Sequence, residues 1–483
     1  MIRALAADLR AGRTTATALV EARLARIAAL DPTLHSFIHV TQARARAEAA
    51  AADRLLAEGV DLGPLHGIPY AVKDIIDVAG APTTCNARLE PSGPARHDAP
   101  MIARLSAAGA VCLGKLATHE YALGGPSPDC PYPPARNPWD PERFTGASSS
   151  GSGAAVAAGL AVFALGSDTS GSVRGPASLC GVSGVKPSFG LVSRRGMFPL
   201  SWALDHVGVL AERVEDCAHV LDVVAGHDPD DPASVARAIA FHGPAPAEPA
   251  RLRIGVVRGH LERAPTMDPA VATAIEAAIG LCEGAGIAVE DVALPAFELF
   301  DACGRVLMTA EAYAIHARAI AEAPEGFGRY TYQRVAPGAF LTAADYVDAQ
   351  RLRAELVAAS RPRLAGLDAV IYPGSLHPAP LLSAFTRDWP PPPALTATRT
   401  IVANVLGAPA ASLPTGLSPE GLPLGMQLMG APMADRRLLD AARWLQEALA
   451  TAGTWPFPKP MIAASLNHES TSDRRSEAGA IPA

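Results

Sequence analysis

Residues 146–187 read GASSSGSGAAVAAGLAVFALGSDTSGSVRGPASLCGVSGVKP, and this stretch decides the fold. Two loops rich in Ser and Gly, at 146–153 and 168–174, enclose one buried helix and one strand. The second loop follows the strand directly and places Ser172 beside consecutive backbone amides at a tight turn, where such amides can stabilise an oxyanion. The first loop alone would indicate no more than a flexible turn.

Outside this stretch, short apolar runs alternate with helical patterns. The pattern predicts strands near 111–113, 254–257 and 424–428. It predicts a helix that begins at Asp268-Pro269 and another over 434–450. The alternation indicates an α/β protein with a largely parallel sheet.

Three regions are expected along the chain. Residues 1–62 are predicted to be helices that pack on the core, and residues 63–462 to form one catalytic domain. The polar tail at 463–483 is predicted to be disordered, and the proline clusters at 131–134 and 389–393 to be surface loops.

Charge and hydropathy exclude two classes of partner. The 483 residues include 41 Lys and Arg against 48 Asp and Glu, for a formal charge of -7, so nucleic acid is not an expected partner. The longest apolar stretch, 154–165, is shorter than the roughly 20 residues that span a bilayer. The N-terminus, MIRALAADLRAGRTT, lacks the apolar core of a secretory signal. We therefore expect a cytoplasmic protein with no membrane partner.

Seven cysteines are scattered along the chain without a CxxC pair. An odd number without close pairs argues against disulfides and against a zinc knuckle. We expect reduced, mostly buried thiols, no metal and no cofactor.

A candidate base lies upstream, in the sequence HGIPYAVKD at 66–74. Lys73 ends a short apolar run that would bury its stem. A serine hydroxyl is a weak nucleophile until a base takes its proton, and a lysine must be neutral to act as that base. Its pKa in water is about 10.4, so burial would have to lower it.

The lysine, the first loop and the second loop together resemble the amidase signature family. That family combines a GxPxxxKD lysine, a Gly/Ser-rich loop and a DTxGS nucleophile turn. The resemblance continues through RIAALDPTLHSF, GAVCLGKLATHEYALG, RNPWDPERFTGASSSGSGAAVAAG, GVKPSFGLVSRRG, DHVGVLAERVED, NVLGAPAASLPTG and LPLGMQLMG. It therefore covers most of the chain and implies the amidase signature fold, an α/β fold with a large central sheet that is mixed but mostly parallel and flanked by helices on both faces.

The resemblance implies a Ser, cis-Ser, Lys triad. Ser172 would be the nucleophile, Ser148 the bridging serine and Lys73 the base. Ser148 precedes Ser172 by 24 positions, which fits the helix and strand that separate the two serines in this family.

The resemblance also implies the surroundings of the triad. Ala122 would lie at the edge of the substrate site. Ala147 stands where Gly is usual and Ser150 where a second Gly often occurs, and we expect the same loop geometry. The oxyanion hole would be formed by the backbone amides around Thr169, Ser170 and Gly171.

The implied activity is hydrolysis of a carboxylic amide or a related carbonyl–nitrogen bond, with aryl or alkyl amides, carbamates (urethanes) and esters as candidate substrates. The expected partner is this small molecule, and a homodimer is compatible with the prediction. The segment 119–125 offers no fixed charge except Glu120, and 372–376, Phe385 and Trp389 could add an apolar wall. A neutral, apolar acyl or aryl group is therefore expected.

Two alternatives stay open. One is the glutaminase component of a tRNA-dependent amidotransferase, which would need partner subunits. That component carries an acidic residue that binds the amino group of glutamine. In this chain the corresponding position, seven residues before Asn404, is Ala397. The other is an inactive scaffold, which the presence of Lys73, Ser148 and Ser172 disfavours.

Four further motifs are incomplete. Leu116 replaces the hydroxyl residue of a phosphate-binding P-loop, and Leu123 replaces the second histidine of HExxH. Ser183 to Lys186 matches SxxK, but no KTG accompanies it. Ser170 occupies the first glycine position of GxSxG, which argues against an α/β-hydrolase fold.

Overall fold

The computed structural model describes residues 1–89, 93–123, 125–243, 249–262, 264, 266–385, 388, 390, 398–455, 457 and 460. Ala397, Trp389 and the predicted tail at 463–483 lie outside these residues. The division of the chain at residue 62 stays a prediction.

The described strands form a single sheet. They are β1 (Phe37–Val40), β2 (Pro69–Lys73), β3 (Val111–Leu116), β4 (Phe163–Asp168), β5 (Ser183–Lys186), β6 (His206–Ala211), β7 (Arg253–Val256), β8 (Ala288–Asp291), β9 (Ala369–Pro373), β10 (Ala410–Leu417) and β11 (Pro423–Met429).

Fourteen α-helices occur in the described chain. They are α1 (Ile2–Arg10), α2 (Ala16–Leu34), α3 (Gln42–Ala57), α4 (Pro100–Ala107), α5 (Ser150–Ala157), α6 (Arg174–Cys180), α7 (Val214–Val224), α8 (Arg258–Glu262), α9 (Pro269–Gly284), α10 (Phe297–Glu322), α11 (Arg329–Val335), α12 (Ala343–Leu364), α13 (Ile401–Val405) and α14 (Asp435–Thr451). None of these helices is both long and apolar enough to cross a membrane.

The sheet is mixed, with the strand order β1-β3-β2-β4-β6-β5-β10-β11-β9-β7-β8. Among the described pairings, β2–β3, β2–β4, β7–β8 and β7–β9 are parallel. The other six are antiparallel. The prediction of a large mixed sheet is confirmed, but the prediction that it is mostly parallel is wrong. One reason is that a tight turn from Ser418 to Leu422 joins β10 to β11, and two strands joined by a tight turn without a crossover helix run antiparallel.

Helices cover both faces of the sheet, as predicted. Every residue of β2, β4 and β6 is buried, and successive side chains of a strand point to opposite faces. One group of helices, α5 and α6, packs together, with α5 on β2, β3, β4 and β6 and α6 on β5, β10 and β11. A second group, α7, α9 and α14, packs against β5, β6, β10 and β11.

Two local signals act as the sequence predicts. The Asp268 carboxylate accepts a hydrogen bond of 2.8 Å from Ala270 N, so it caps α9, and Pro269 occupies the first helical position. The N-terminal region differs from the helices expected there, because β1 joins the sheet by antiparallel pairing with β3.

Candidate active site

Lys73 ends β2 with its side chain fully buried. Its Nζ donates hydrogen bonds to Ser148 Oγ at 2.7 Å and to Ser167 Oγ at 2.9 Å. The parallel pairing of β2 with β4 brings the ends of the two strands together, and with them Lys73 and Ser167. The structure thus joins two of the three predicted triad residues and adds a second hydroxyl that sequence reasoning missed.

Burial lowers the pKa of Lys73 from 10.5 to about 7, although the charges of Asp205 and Asp168 oppose this shift. The residues Tyr70 to Val72, which precede the lysine, have no exposed surface. This is the desolvating wall that the apolar run predicts. A lysine with this pKa is substantially neutral near pH 7, which a general base requires.

The first Ser/Gly loop is held against the second. Gly146 has φ of 118° and lies so close to the backbone of Gly175 and Pro176 that a side chain would collide with it. Ser149 N donates to the Ser172 carbonyl at 3.2 Å, and Ser149 Oγ donates to the Ser167 carbonyl at 3.2 Å. These bonds fix the loop of Ser148 relative to the nucleophile turn.

The departures from the usual loop pattern are accommodated. Ser150 is the first residue of α5, a position that does not need the conformational freedom of glycine, and its hydroxyl lies 3.4 Å from the Ala117 carbonyl. Ala147 lines the same cavity as Ser148 and Ser172.

The nucleophile turn requires a glycine at position 171. Gly171 has φ of 125°, and a side chain there would collide with Thr400. The Thr400 hydroxyl in turn donates to the Ser170 carbonyl. Ser172 follows, is 8% exposed and lines the cavity.

The structure reduces the number of backbone amides that are available for the expected oxyanion hole. Gly171 N donates to Asp168 Oδ1 at 2.9 Å, so this amide is already engaged. Within the described part of the chain, the amides of Thr169, Ser170 and Ser172 have no such partner. Of these three residues, Ser170 and Ser172 line the cavity. The amide of Ser172 itself was not among the predicted donors.

A buried ionic clamp holds the turn. Arg174 is 1% exposed and pairs with Asp168 through Nη2 at 2.8 Å and Nε at 3.0 Å. It also donates to Asn404 Oδ1 at 2.6 Å and to the Thr400 carbonyl at 2.7 Å. Arg174 holds the pKa of Asp168 well below its usual range, against the opposing effect of burial. Arg174 therefore anchors the turn, and it does not line the cavity described below.

The cavity has a volume of about 660 Å³, within the size range of small-molecule sites. Its apolar lining includes Phe144, Leu179 and Phe385. His119 stacks on Phe144 with ring centroids 5.9 Å apart, and burial lowers the pKa of His119 to about 3, so it is neutral. Both predicted apolar segments contribute, through Phe385 and Leu376.

Ala122 lies at this cavity, where the resemblance places it. Its φ is 60°, and that of the preceding Tyr121 is 52°. Two consecutive residues other than glycine in the left-handed backbone conformation are strained, and such strain clusters at functional sites.

The expectation that Glu120 is the one fixed charge near the substrate is not met, because the cavity is lined by other charged side chains. One face of α10 lines it with Glu298, Asp301 and Arg305, of which Asp301 and Arg305 pair with each other at 2.7 Å. Glu120, the charge that the sequence predicts, does not line the cavity. It accepts a hydrogen bond of 2.9 Å from Gly328 N, and burial raises its pKa to about 7.

Two other buried lysines serve the scaffold. Lys115, from the P-loop-like motif, forms a fully buried ion pair of 2.7 Å with Asp74. Lys186, from the SxxK motif, donates to the Ala408 carbonyl at 2.5 Å. In the described residues, a single group of side chains is spaced to hold a metal ion, and it does not line this cavity.

Known proteins resemble this chain over nearly its whole length. A profile of the Amidase family matches residues 18–439. The glutamyl-tRNA(Gln) amidotransferase A subunit of Chloroflexus aurantiacus (strain ATCC 29366 / DSM 635 / J-10-fl) is 38% identical over 462 residues, which cover 91% of this chain and 94% of that protein.

Solved structures of other proteins superpose on this chain over nearly its whole length. The peptide amidase of Stenotrophomonas maltophilia superposes with a TM-score of 0.81 at 30% identity, covering 95% of this chain and 98% of that one. A chain from a vestigial protein complex, described as revealing the origins of an s-triazine catabolic enzyme, superposes with a TM-score of 0.84 at 36% identity, covering 92% and 97%.

Proposed function

The chain belongs to the Amidase family, and on that basis we propose that it hydrolyses a carboxylic amide or a related carbonyl–nitrogen bond through an acyl-enzyme on Ser172. The observation that carries this proposal is the buried contact between Lys73 and Ser148, beside a cavity that Ser172 also lines. A buried lysine with a lowered pKa next to a serine is the arrangement that activates a hydroxyl nucleophile.

In the first half of the reaction, neutral Lys73 accepts the proton of the Ser148 hydroxyl as Ser148 accepts the proton of Ser172. The Ser172 oxygen then attacks the substrate carbonyl. Backbone amides at Ser170 and Ser172 stabilise the resulting oxyanion, and mutagenesis of such donors elsewhere gives effects of about 10² to 10³-fold each.

In the second half, the proton on Lys73 returns through Ser148 to the leaving nitrogen, so that an amine departs and the acyl group stays on Ser172. Water then attacks the ester, and the same two residues take its proton and return it to Ser172 Oγ. The carboxylic acid leaves, and the site regains its initial protonation.

We propose a small-molecule substrate with a neutral acyl or aryl group next to the scissile bond. The wall of Phe144, Leu179 and Phe385 favours such a group, because burying an unpaired charge there is costly. Aryl or alkyl amides and aryl carbamates fit this description. The paired Asp301 and Arg305 leave a polar side on which the remainder of the substrate can lie.

A second candidate is the glutaminase component of a tRNA-dependent amidotransferase. The observation that favours it is the 38% identity to the Chloroflexus aurantiacus amidotransferase chain. Against it stands Ala397, where that component carries an acidic residue.

Two measurements on the isolated full-length chain separate these functions. Labelling by a fluorophosphonate, lost on Ser172→Ala, is expected for either enzyme, and failure to label would contradict the nucleophile. Ammonia release from glutamine is expected to be slow, whereas arylamides should be cleaved without a partner. Efficient glutamine hydrolysis, or dependence on a second protein, would favour the amidotransferase.

A further inference from the structure

Three potential metal ligands meet on the side of the molecule formed by α7. Glu215 and His219 are four residues apart on this helix and therefore share one face. His242 comes from the segment that follows the helix. One ligand atom from each residue lies within 4.8 Å of the other two.

The two histidine side chains do not make all the hydrogen bonds that their ring nitrogens can form. Their rings stack with centroids 3.9 Å apart, and the Nε2 atoms of both are buried without a hydrogen-bond partner. His219 is only 8% exposed. A buried polar atom without a partner costs free energy, so a ligand that binds both nitrogens would relieve this cost.

The carboxylate completes the arrangement. His242 Nε2 lies 3.5 Å from Glu215 Oε1, longer than the roughly 2.7–3.2 Å of an N–H···O hydrogen bond. It is close to the separation of about 3.3 Å between two ligands that each lie 2.0–2.1 Å from a tetrahedral ion.

His242 is held in place independently of any ion. Its backbone N donates to Asp222 Oδ2 at 3.1 Å, and its carbonyl accepts from Arg436 Nη1 at 3.0 Å. The preceding Phe241 is buried, and its N donates to Asp222 Oδ1 at 2.7 Å. These contacts fix the backbone at His242 beside α7 without an ion.

We propose that Glu215, His219 and His242 bind one divalent transition-metal cation of the zinc class. Two imidazoles and one carboxylate suit such ions better than Mg²⁺ or Ca²⁺, which prefer oxygen ligands. The fourth position is open to water, as in three-ligand zinc sites. The ion links α7 to the segment at His242, and none of the three ligands lines the active-site cavity.

Arg3 and Arg443 both act electrostatically on the Glu215 carboxylate, and Arg3 also contacts it. Arg3 Nη1 donates to Glu215 Oε1 at 3.2 Å from a side chain that is 70% exposed. A metal ion bound to Glu215 must share or displace this contact. An exposed ion pair contributes little free energy, so its loss costs little. Arg3→Ala is therefore expected to tighten metal binding.

Cobalt provides the direct test, because four-coordinate Co²⁺ with nitrogen and oxygen ligands absorbs visible light. The full-length protein, with an untagged N-terminus and freed of metal by dialysis, is titrated with Co²⁺ and then with Zn²⁺. We expect one Co²⁺ per chain, displaced by Zn²⁺, and a rise of the melting temperature in Zn²⁺ as for any ligand of the folded state. The Cys130→Ser background removes the one cysteine that is not buried.

His219→Ala and His242→Ala should each weaken binding more than about tenfold, since losing even an outer-shell partner costs 10- to 100-fold. His97→Ala, which removes an exposed histidine elsewhere, should bind like the wild type. Glu215→Gln provides a variant with little risk of misfolding, because that side chain is 25% exposed. No saturable uptake by the wild type, or uptake unchanged in both histidine variants, would overturn the proposal.

Discussion

Lys73 Nζ lies 2.7 Å from Ser148 Oγ, although the two residues are 75 positions apart. The other described hydrogen-bond partner of this lysine is also a hydroxyl, that of Ser167. Hydroxyl partners stabilise an ammonium less than a carboxylate partner does, so burial dominates and the lysine loses its proton easily.

Ser172→Ala should abolish turnover while the protein stays folded. Without the nucleophile only binding and the oxyanion donors remain, which in comparable triads leave about 10³ to 10⁴-fold over water. Steady-state kinetics and circular dichroism test this together. Ser152→Ala is the control, because among the described residues the hydrogen-bond partner of that buried hydroxyl is the Leu165 carbonyl. Activity of Ser172→Ala near the wild-type level would refute the assignment.

The activity should rise with pH through about 7 and then level. The pKa of Lys73 is lowered to about 7, so the neutral base forms above that pH and is lost as pH falls, by about tenfold per unit well below it. Profiles of kcat/KM from acid to alkaline pH measure the midpoint. Lys73→Ala should be as damaging as loss of the nucleophile, and Ser148→Ala severe. A flat profile together with an active Lys73→Ala variant would contradict the assigned base.

Ser167→Ala should shift the acid limb of the pH profile to lower pH and reduce kcat with little change in KM. The variant removes a hydroxyl that stabilises the protonated form of Lys73, a bond worth about 1 kcal/mol or roughly fivefold in rate. Ser167→Thr, which keeps the hydroxyl, should restore the midpoint. A profile of Ser167→Ala with the wild-type midpoint would assign Ser167 a structural role only.

Arg174→Met should lower the free energy of unfolding by about 3–5 kcal/mol, because it leaves the carboxylate of Asp168 buried without its cation. Denaturant titration measures this change. Arg318→Met is the matched control, since the Arg318 side chain is 87% exposed and, within the described part of the chain, its ion-pair partner is Glu322 on the same helix. Its effect should stay below about 0.5 kcal/mol. Equal effects of the two substitutions would contradict the clamp.

Arylamides and aryl carbamates should show higher kcat/KM than glutamine or asparagine. The physical reason is the apolar wall, where Phe144 and Phe385 lie with ring centroids 4.8 Å apart. Phe144→Ala should reduce this preference by about 1–3 kcal/mol of transition-state binding, or 10- to 200-fold. A preference of the wild type for the charged amides would show that a residue such as Arg305 grips the substrate.

Sequence reasoning succeeded where the signal is local. The Asp268-Pro269 pair marked the start of α9, and the strands β3, β7 and β11 lie where apolar runs predicted them. It failed on strand direction, because alternation of strands and helices does not reveal which connections cross over. The run Ser418-Pro419-Glu420-Gly421 between two apolar segments was a usable turn signal for the antiparallel pair β10–β11.

At the candidate site, too, local motifs could be read from the sequence, whereas features that depend on tertiary packing could not. Lys73 and the two Ser/Gly loops were found in the sequence because each has a motif. The charged side of the cavity was missed because it depends on which face of α10 meets the site, a tertiary property. Glu298, Asp301, Arg305 and Met308 do recur at helical spacing, but such a stripe equally describes a solvated face.

Arg174 and Asn404 touch at 2.6 Å across 230 residues of chain. During synthesis at about 5–20 residues per second, Asn404 is added roughly 10–50 s after Arg174. For that interval, the turn that carries Ser172 exists on the ribosome without the partner that fixes it. A translation product that stops before Asn404 therefore contains Lys73, Ser148 and Ser172 yet lacks one of the side chains that hold the Ser172 turn in place.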